Sequence, residues 1–161
     1  GIEGLRHIVC LKCVAPDVKA GAFERACATI GRFRDLEAPT WQECAVLFDR
    51  HGGLQHLAVS DVLPVPPHGT RLPAEVYDEV LQRLVACPSA LVAVLQWWPP
   101  EIFSVPELRA RLCACLPDLD CLQVDELDDL DRHRLEALAR LEKVAGDLRL
   151  AARLLLHLGN P

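Results

Sequence analysis

Apolar residues recur every three or four positions along most of this chain, with polar residues on the opposite arc. The clearest case is the segment 72–103, where Val76 and Val80 lie on the apolar face of an amphipathic helix that ends before Pro88. The residues at 88–96 leave almost no polar face, which predicts a helix buried on most sides. Together they form a helical hairpin around which the other elements are arranged.

The same spacing predicts further helices on both sides of this hairpin. Glu43 stands three residues after Thr40, and Glu107 three residues after Ser104, the spacing of a capping box at a helix start. A turn is expected at 15–21. Gly146 is expected to end one helix and Asp147 to cap the next. The other helices are predicted at 4–14, 22–33, 54–59, 104–116, 131–145 and 148–158, with one more beginning after Thr40.

Two segments are predicted to be irregular: a Pro-rich loop at 60–72 and an acidic linker at 117–130. A partly helical structure is the alternative for 123–130. No stretch shows the period-two alternation of a strand. The predicted fold is all-α, a single α-solenoid of antiparallel hairpins over residues 1–161, because hairpins spaced by roughly 30–40 residues are typical of such arrays. A closed helical bundle is the alternative.

The composition of the chain argues against some classes of function. A net charge of −6 argues against a nucleic-acid partner, and no apolar run approaches the length of a membrane span. The 51% hydrophobic content includes only 5% aromatics, so the core is expected to be built from Leu, Val and Ala. The chain contains no Met, from which we expect a fragment of a longer protein.

The eight cysteines do not form a recognisable metal or redox motif. Cys10-x-x-Cys13 lacks a second ligand pair at zinc-finger spacing, and a shared buried face on a helix explains the pair more simply. Cys27, Cys44, Cys87, Cys113 and Cys115 are likewise expected within or beside apolar faces, as reduced thiols. No catalytic, cofactor-binding or metal-binding residue is predicted, and the chain is not expected to be an enzyme.

Twelve positions along the chain occur in an order that resembles a known family. These positions are Trp41, Glu43, Gly53, Leu54, Leu63, Pro64, Tyr77, Trp98, Pro99, Phe103, Gly146 and Asp147. Their order is similar to that in the helical, clathrin-heavy-chain-repeat-like region of the vacuolar protein sorting-associated protein 41 family. The Pro-rich loop and the CxxC depart from the family pattern.

The resemblance implies a subunit of the HOPS tethering complex, working in vesicle-mediated protein transport. It implies a cytoplasmic scaffold, peripheral on late endosomes and the lysosome or vacuole, acting by protein–protein interaction. Its implied partners are other HOPS subunits and, through the full-length protein, a Rab7-type GTPase, the AP-3 adaptor and SNAREs. No cofactor is implied. The alternative function is an independent thiol- or zinc-dependent helical domain.

Two further expectations concern apolar side chains near helix ends. Trp98 is expected to be buried and Trp97 to point away from the core, because about 100° of helical rotation separates them. The last helix has a wide apolar arc, of which one hairpin partner can cover only part. Its association surface is therefore expected to include Leu150, Leu154 and Leu158, through which the fragment would self-associate.

Overall fold

The computed structural model describes residues 2–116 and 127–158, and all regular structure in these ranges is helical. The prediction of an all-α fold is therefore confirmed. A short 3₁₀ turn, Pro100–Ile102, lies between the sixth and seventh helices. The helices are α1 (Ile2–Lys19), α2 (Phe23–Ile30), α3 (Ala38–Arg50), α4 (Leu54–Ala58), α5 (Ala74–Leu84), α6 (Pro88–Leu95), α7 (Val105–Cys115), α8 (Asp129–Ala145) and α9 (Leu148–His157).

The chain divides into two compact units, unit 1 (Gly1–Val80) and unit 2 (Leu81–Pro161), and the division falls within α5. One continuous solenoid over residues 1–161 stays a prediction. Within the described ranges, no helix combines the length and the apolar character needed to cross a membrane.

In unit 1, α1 packs against α2 and α3, and α4 packs against the same two helices. The core between them is apolar but rich in thiols and aromatic rings. Its fully or almost fully buried members are Cys10, Val14, Val18, Ala26, Cys27, Ile30, Trp41, Cys44, Ala45, Phe48, Leu54, Leu57 and Ala58.

The turn predicted at 15–21 is wrong, because α1 continues through Pro16 to Lys19. Val18 is completely buried on the same face as Val14, four residues earlier, so continuing the helix adds a core residue. The Ala20 N–H donates to the Pro16 carbonyl at 3.0 Å, which closes the last turn. These gains offset the hydrogen bond that proline cannot donate.

The start of α3 is also corrected. The helix begins at Ala38 with Glu37 as its N-cap, and Glu37 makes no capping hydrogen bond through its side chain. Thr40 lies inside the helix and is buried. The capping box of Thr40 and Glu43 is therefore wrong, because a proline in the first turn lets the helix start earlier and Thr40 binds a residue of α1 instead.

In unit 2, α8 packs against α6, α7 and α9. Leucine dominates this core, with Leu91, Leu95, Leu108, Leu112, Leu135, Leu138, Leu141 and Leu154 buried. Pro88 starts α6 as predicted, and Trp98 is buried whereas Trp97 is 74% exposed, which confirms the assignment of the two tryptophans.

Three helices of unit 2 begin with a side-chain cap. The Ser104 hydroxyl accepts from the Glu107 N–H at 3.4 Å, as its predicted cap requires. Asp147 accepts from the Leu150 N–H at 3.0 Å, and Gly146 before it has φ +94°, which confirms both predictions for this turn. Asp128 caps α8, which therefore begins two residues before the predicted start.

The acidic linker predicted at 117–130 falls mostly outside the described residues, which resume at Leu127. Leu127 is buried and Asp128 is the cap of α8, so the last residues of the predicted linker belong to the helix and its start. The Pro-rich segment at 60–72 contains no helix or strand, as predicted.

Candidate functional site

A tyrosine hydroxyl holds the Pro-rich loop of unit 1. Tyr77 is completely buried on α5, and its hydroxyl donates to the Pro64 carbonyl at 2.5 Å and accepts from the Leu72 N–H at 3.0 Å. Burial raises the pKa of this hydroxyl, so it remains a donor. Leu63 is also buried. Leu63, Pro64 and Tyr77 of the family-like set are thus brought together, in a structural role.

Gly53 allows an aromatic ring to lie against the backbone between α3 and α4. A Cβ at Gly53 would overlap the ring of Phe23. That ring stacks on His56 at a centroid distance of 5.1 Å and tilts against Phe48 at 6.0 Å. The glycine of the family-like set is therefore required for packing at this point.

The remaining positions of the set are distributed between core and surface. Trp41 and Leu54 are buried in unit 1, whereas the Glu43 side chain is 62% exposed. Trp98 and Phe103 are buried in unit 2, with Pro99 half-buried between them. Gly146 and Asp147 form the turn between α8 and α9. The set describes how the helices pack and does not form a ligand site.

A cleft of about 620 Å³ lies between the first turns of α1 and the start of α3. On its wall, His7 Nδ1 and Thr40 Oγ1 are 2.7 Å apart. Glu43 Oε1 lies 3.6 Å from His7 Nε2. The imidazole therefore lies between a hydroxyl and a carboxylate, an order of groups that also occurs around catalytic histidines.

The charges around this cleft argue for a structural role of the imidazole–hydroxyl pair. The ionisable side chains that line it with the histidine are Arg6, Asp35, Glu37 and Glu43. Three of these four side chains are carboxylates. They would repel the negative charge that develops on a substrate oxygen during acyl or phosphoryl transfer. Nothing in the local sequence links the pair, because 33 positions separate the histidine from the threonine.

Unit 2 contains an almost fully buried carboxylate. The side chain of Glu142 on α8 is 1% exposed, and Arg109 on α7 binds it with two nitrogens: Nε donates to Oε1, and Nη2 donates to Oε2 at 3.1 Å. Hydrogen bonding to this carboxylate holds the pKa of Arg109 above its usual value. The pair ties α7 to α8. Because both carboxylate oxygens are occupied, the pair offers little to a ligand.

Three thiols lie in the core of unit 1: Cys10, Cys27 and Cys44. Hydrogen bonding to Cys10, together with burial, raises the pKa of the Cys44 thiol. Burial likewise raises the pKa of Cys27, whose thiol lies 3.9 Å from the His56 carbonyl. The same hydrogen bond, from Cys44, lowers the pKa of Cys10. Cys27 and Cys44, whose pKa values are raised, are poor nucleophiles and poor metal ligands, and all three thiols are buried, so this cluster fits packing.

Several predictions for the cysteines are corrected. Cys13 is exposed although Cys10 is buried, so the two do not share a buried face. Cys13 is only about 60° from Cys10 around the helix, but it lies on the side away from Val14 and Val18, toward which the buried face extends. Exposed thiols also occur at Cys87, Cys113 and Cys115, which pack less than predicted. In the part of the chain that the structure describes, no three His, Cys, Asp or Glu side chains are grouped to hold a metal ion.

The exposed side of α9 differs from the predicted one. Leu154 is 2% exposed because it faces α8, and Leu150 and Leu158 are half-buried. The leucines that face solvent are Leu148, at 64% exposure, and Leu156, at 67%. The prediction of exposure at Leu154 is therefore wrong, and self-association of the chain stays a prediction.

A second exposed apolar face lies on α1. Leu5, Ile8 and Val9 are 61%, 51% and 41% exposed, on the side of the helix opposite Cys10 and Val14. Leu5 and Val9 are four residues apart and form one ridge. The outer faces of α1 and α9 are thus the helix surfaces with several large exposed apolar side chains in the described chain.

Comparison of this chain with protein-family models, curated proteins and solved structures found no match.

Proposed function

We propose that this chain is a scaffold segment of a HOPS-type membrane-tethering subunit, acting by protein–protein interaction in vesicle traffic and fusion at the late endosome and the lysosome or vacuole. The sequence resemblance supplies the complex and the compartment, where the protein would be cytoplasmic and peripheral on membranes. The proposed partners are other HOPS subunits. The Rab7-type GTPase, the AP-3 adaptor and SNAREs would be reached through the full-length protein.

The observation that carries an interaction role is the pair of exposed apolar faces on α1 and α9. Leu5 and Ile8 on α1, and Leu148 and Leu156 on α9, are each more than half exposed. Two large apolar side chains exposed on one helix face are stabilised when a partner protein removes them from water. In stacked helical repeats, each repeat buries an apolar face against its neighbour.

The packing of alternate helices supports the solenoid arrangement. In unit 1, α1 contacts α3 and α2 contacts α4, as they would if the hairpin of α1 and α2 were stacked on that of α3 and α4. In unit 2, α6 contacts α8 in the same way. A four-helix bundle with neighbours in the order α1, α2, α4, α3 would make the same contacts in unit 1, so the closed bundle is the competing arrangement.

Small-angle X-ray scattering of the purified monomer separates the two arrangements. A compact chain of this length has a radius of gyration of about 15 Å. We expect a clearly larger value and an asymmetric distance distribution, because stacked hairpins extend along one direction. A radius of about 15 Å with a symmetric distribution would favour the closed bundle.

The tethering role is tested by affinity capture of the tagged chain from its own cells, followed by mass spectrometry. We expect HOPS subunits to be enriched, and the enrichment to fall in a Leu5→Ser, Ile8→Ser variant that keeps its helix content. Two substitutions at exposed polar positions, Glu24→Ser and Arg32→Ser, provide the matched control. Capture without HOPS subunits would reject the tethering role.

The alternative of an independent thiol- or zinc-dependent domain calls for a separate measurement. Metal analysis and thiol titration of the native protein test it. Stoichiometric zinc would favour it, whereas eight titratable thiols without metal would favour the scaffold.

A further inference from the structure

The exposed side of α9 has a defined pattern of apolar and cationic residues. Leu148, Ala152 and Leu156 are exposed and four residues apart, so they form a ridge that drifts by only about 40° per step. Arg149 and Arg153 are also exposed and lie along one border of this ridge. We call these five residues the α9 face.

The shape of the α9 face suits a second helix. Residues at i, i+4 and i+8 form the ridge that packs into the groove of a neighbouring helix. A small residue, Ala152, lies between two leucines, so a partner helix can approach closely at the centre. Two leucines at exposures of 64% and 67% supply the apolar area.

The charges of the α9 face favour one kind of occupant. Arg149 and Arg153 form no ion pair with another residue in the described chain, although the protein has an overall charge of −6. An apolar partner helix bordered by carboxylates would place opposite charges beside both guanidinium groups.

A second copy of this chain fits less well. In an antiparallel pair related by a two-fold axis, like borders meet, so the arginines of one copy would lie beside those of the other. In a parallel pair the arginines would face the Leu155 side of the other helix, and residues 148–158 include no Asp or Glu. Both arrangements leave the cations without partners.

We propose that the α9 face binds an amphipathic helix of a partner protein whose apolar stripe is bordered by Asp or Glu. This inference rests on the proposed scaffold function and names the chemistry of one partner. The partner would present Leu or Ile at three- and four-residue spacing toward Leu148 and Leu156, and its carboxylates toward Arg149 and Arg153.

The test uses two designed peptides of about 18 residues, because shorter helices are marginal in water. Both carry the same leucine stripe, and one has Glu where the other has Lys along the border. We expect fluorescence anisotropy to show that the 161-residue chain binds the Glu peptide about tenfold more tightly, or about threefold for each arginine. The difference should shrink at high salt.

Charge reversal locates the binding. In Arg149→Glu, Arg153→Glu the preference should invert toward the Lys peptide, and in Leu148→Ser, Leu156→Ser both peptides should lose binding. The matched control, Arg111→Glu with Arg132→Glu, changes two exposed arginines of α7 and α8 and should keep the original preference. Circular dichroism verifies that each variant is folded.

Three results would overturn the inference: no binding of either peptide, a preference that survives the reversal, or a wild-type dimer in sedimentation that Leu148→Ser, Leu156→Ser dissolves. The last result would make a second copy the occupant. If the Glu peptide binds with the expected reversal but capture from cells yields no HOPS subunit, the tethering role fails and the assignment of the α9 face stands.

Discussion

The two units fix the starts of their helices by different means. In unit 2, Ser104, Asp128 and Asp147 each accept a hydrogen bond from the backbone N–H three residues later. In unit 1, the residues before α2, α3 and α4 make no such bond. The starts of α7, α8 and α9 are thus specified by a side chain next to them, whereas α2, α3 and α4, like α6 of unit 2, begin without such a cap.

The same contrast holds for the polar groups in the cores. Unit 1 encloses neutral groups, with the Tyr77 hydroxyl bonded to the Pro-rich loop and the Thr40 hydroxyl bonded to His7. Unit 2 encloses a charge, Glu142, which is bound by Arg109. Removing one partner of the buried ion pair leaves a charge without its counterpart, so we expect unit 2 to respond more strongly to single substitutions.

The largest effect is expected for Trp98→Ala. Trp98 is 3% exposed, and truncating a buried tryptophan costs about 3–5 kcal/mol. Urea denaturation followed by circular dichroism measures the loss. The adjacent Trp97→Ala is the control and should change the free energy of unfolding by less than about 0.5 kcal/mol, because Trp97 is 74% exposed. Equal losses for the two variants would contradict this packing.

The next effect concerns the ion pair of unit 2. Arg109→Met removes the guanidinium from a carboxylate that is 1% exposed, and we expect a loss of about 2–3 kcal/mol. The Arg109 side chain is itself 39% exposed, so water can replace part of its hydrogen bonding.

A double variant isolates the cause of this loss. Arg109→Met with Glu142→Leu removes the buried charge as well as its partner, so it should be more stable than Arg109→Met alone. If the double variant loses the sum of the two single losses, the residues are not coupled, and the contrast between the units is weakened.

In unit 1, Tyr77→Phe tests the hydroxyl that holds the Pro-rich loop. The substitution keeps the ring but leaves the Pro64 carbonyl and the Leu72 N–H without this partner, for which we expect a loss of about 1–2 kcal/mol. Limited proteolysis should show faster cleavage within 60–72 in the variant. Unchanged cleavage and stability would mean that the loop is held by its apolar contacts alone, such as that of Leu63.

The features that can be predicted from the sequence also differ between the two units. Ser104, Gly146 and Asp147 are predictable as helix ends because a cap and its target are at most a few residues apart. The continuation of α1 through Pro16 was not predictable locally, because it depends on the burial of Val18 in the core. Long-range contacts of this kind leave no mark in the spacing of nearby residues.

The candidate surfaces show a similar limit. The breadth of the apolar arc on α9 was evident from the helical period, but not which part of the arc α8 covers. The structure buries Leu154 and exposes Leu156, and this difference moves the exposed ridge next to Arg149. The sequence alone therefore does not show that the exposed ridge of α9 is bordered by arginines, because this depends on how α9 packs against α8.

The smallest expected effect tests the contrast in capping directly. Asp147→Ala removes the bond to the Leu150 N–H and an acidic group at the start of α9, and we expect a loss of about 1 kcal/mol. Glu37→Ala at the equivalent position before α3 should cost only a few tenths of a kcal/mol, because Glu37 makes no side-chain cap. Asp147→Asn retains an acceptor and should recover most of the loss, which separates the hydrogen bond from the charge. Equal losses at the two positions would mean that unit 1 also relies on local capping, since the starts of α3 and α9 would then be fixed in the same way.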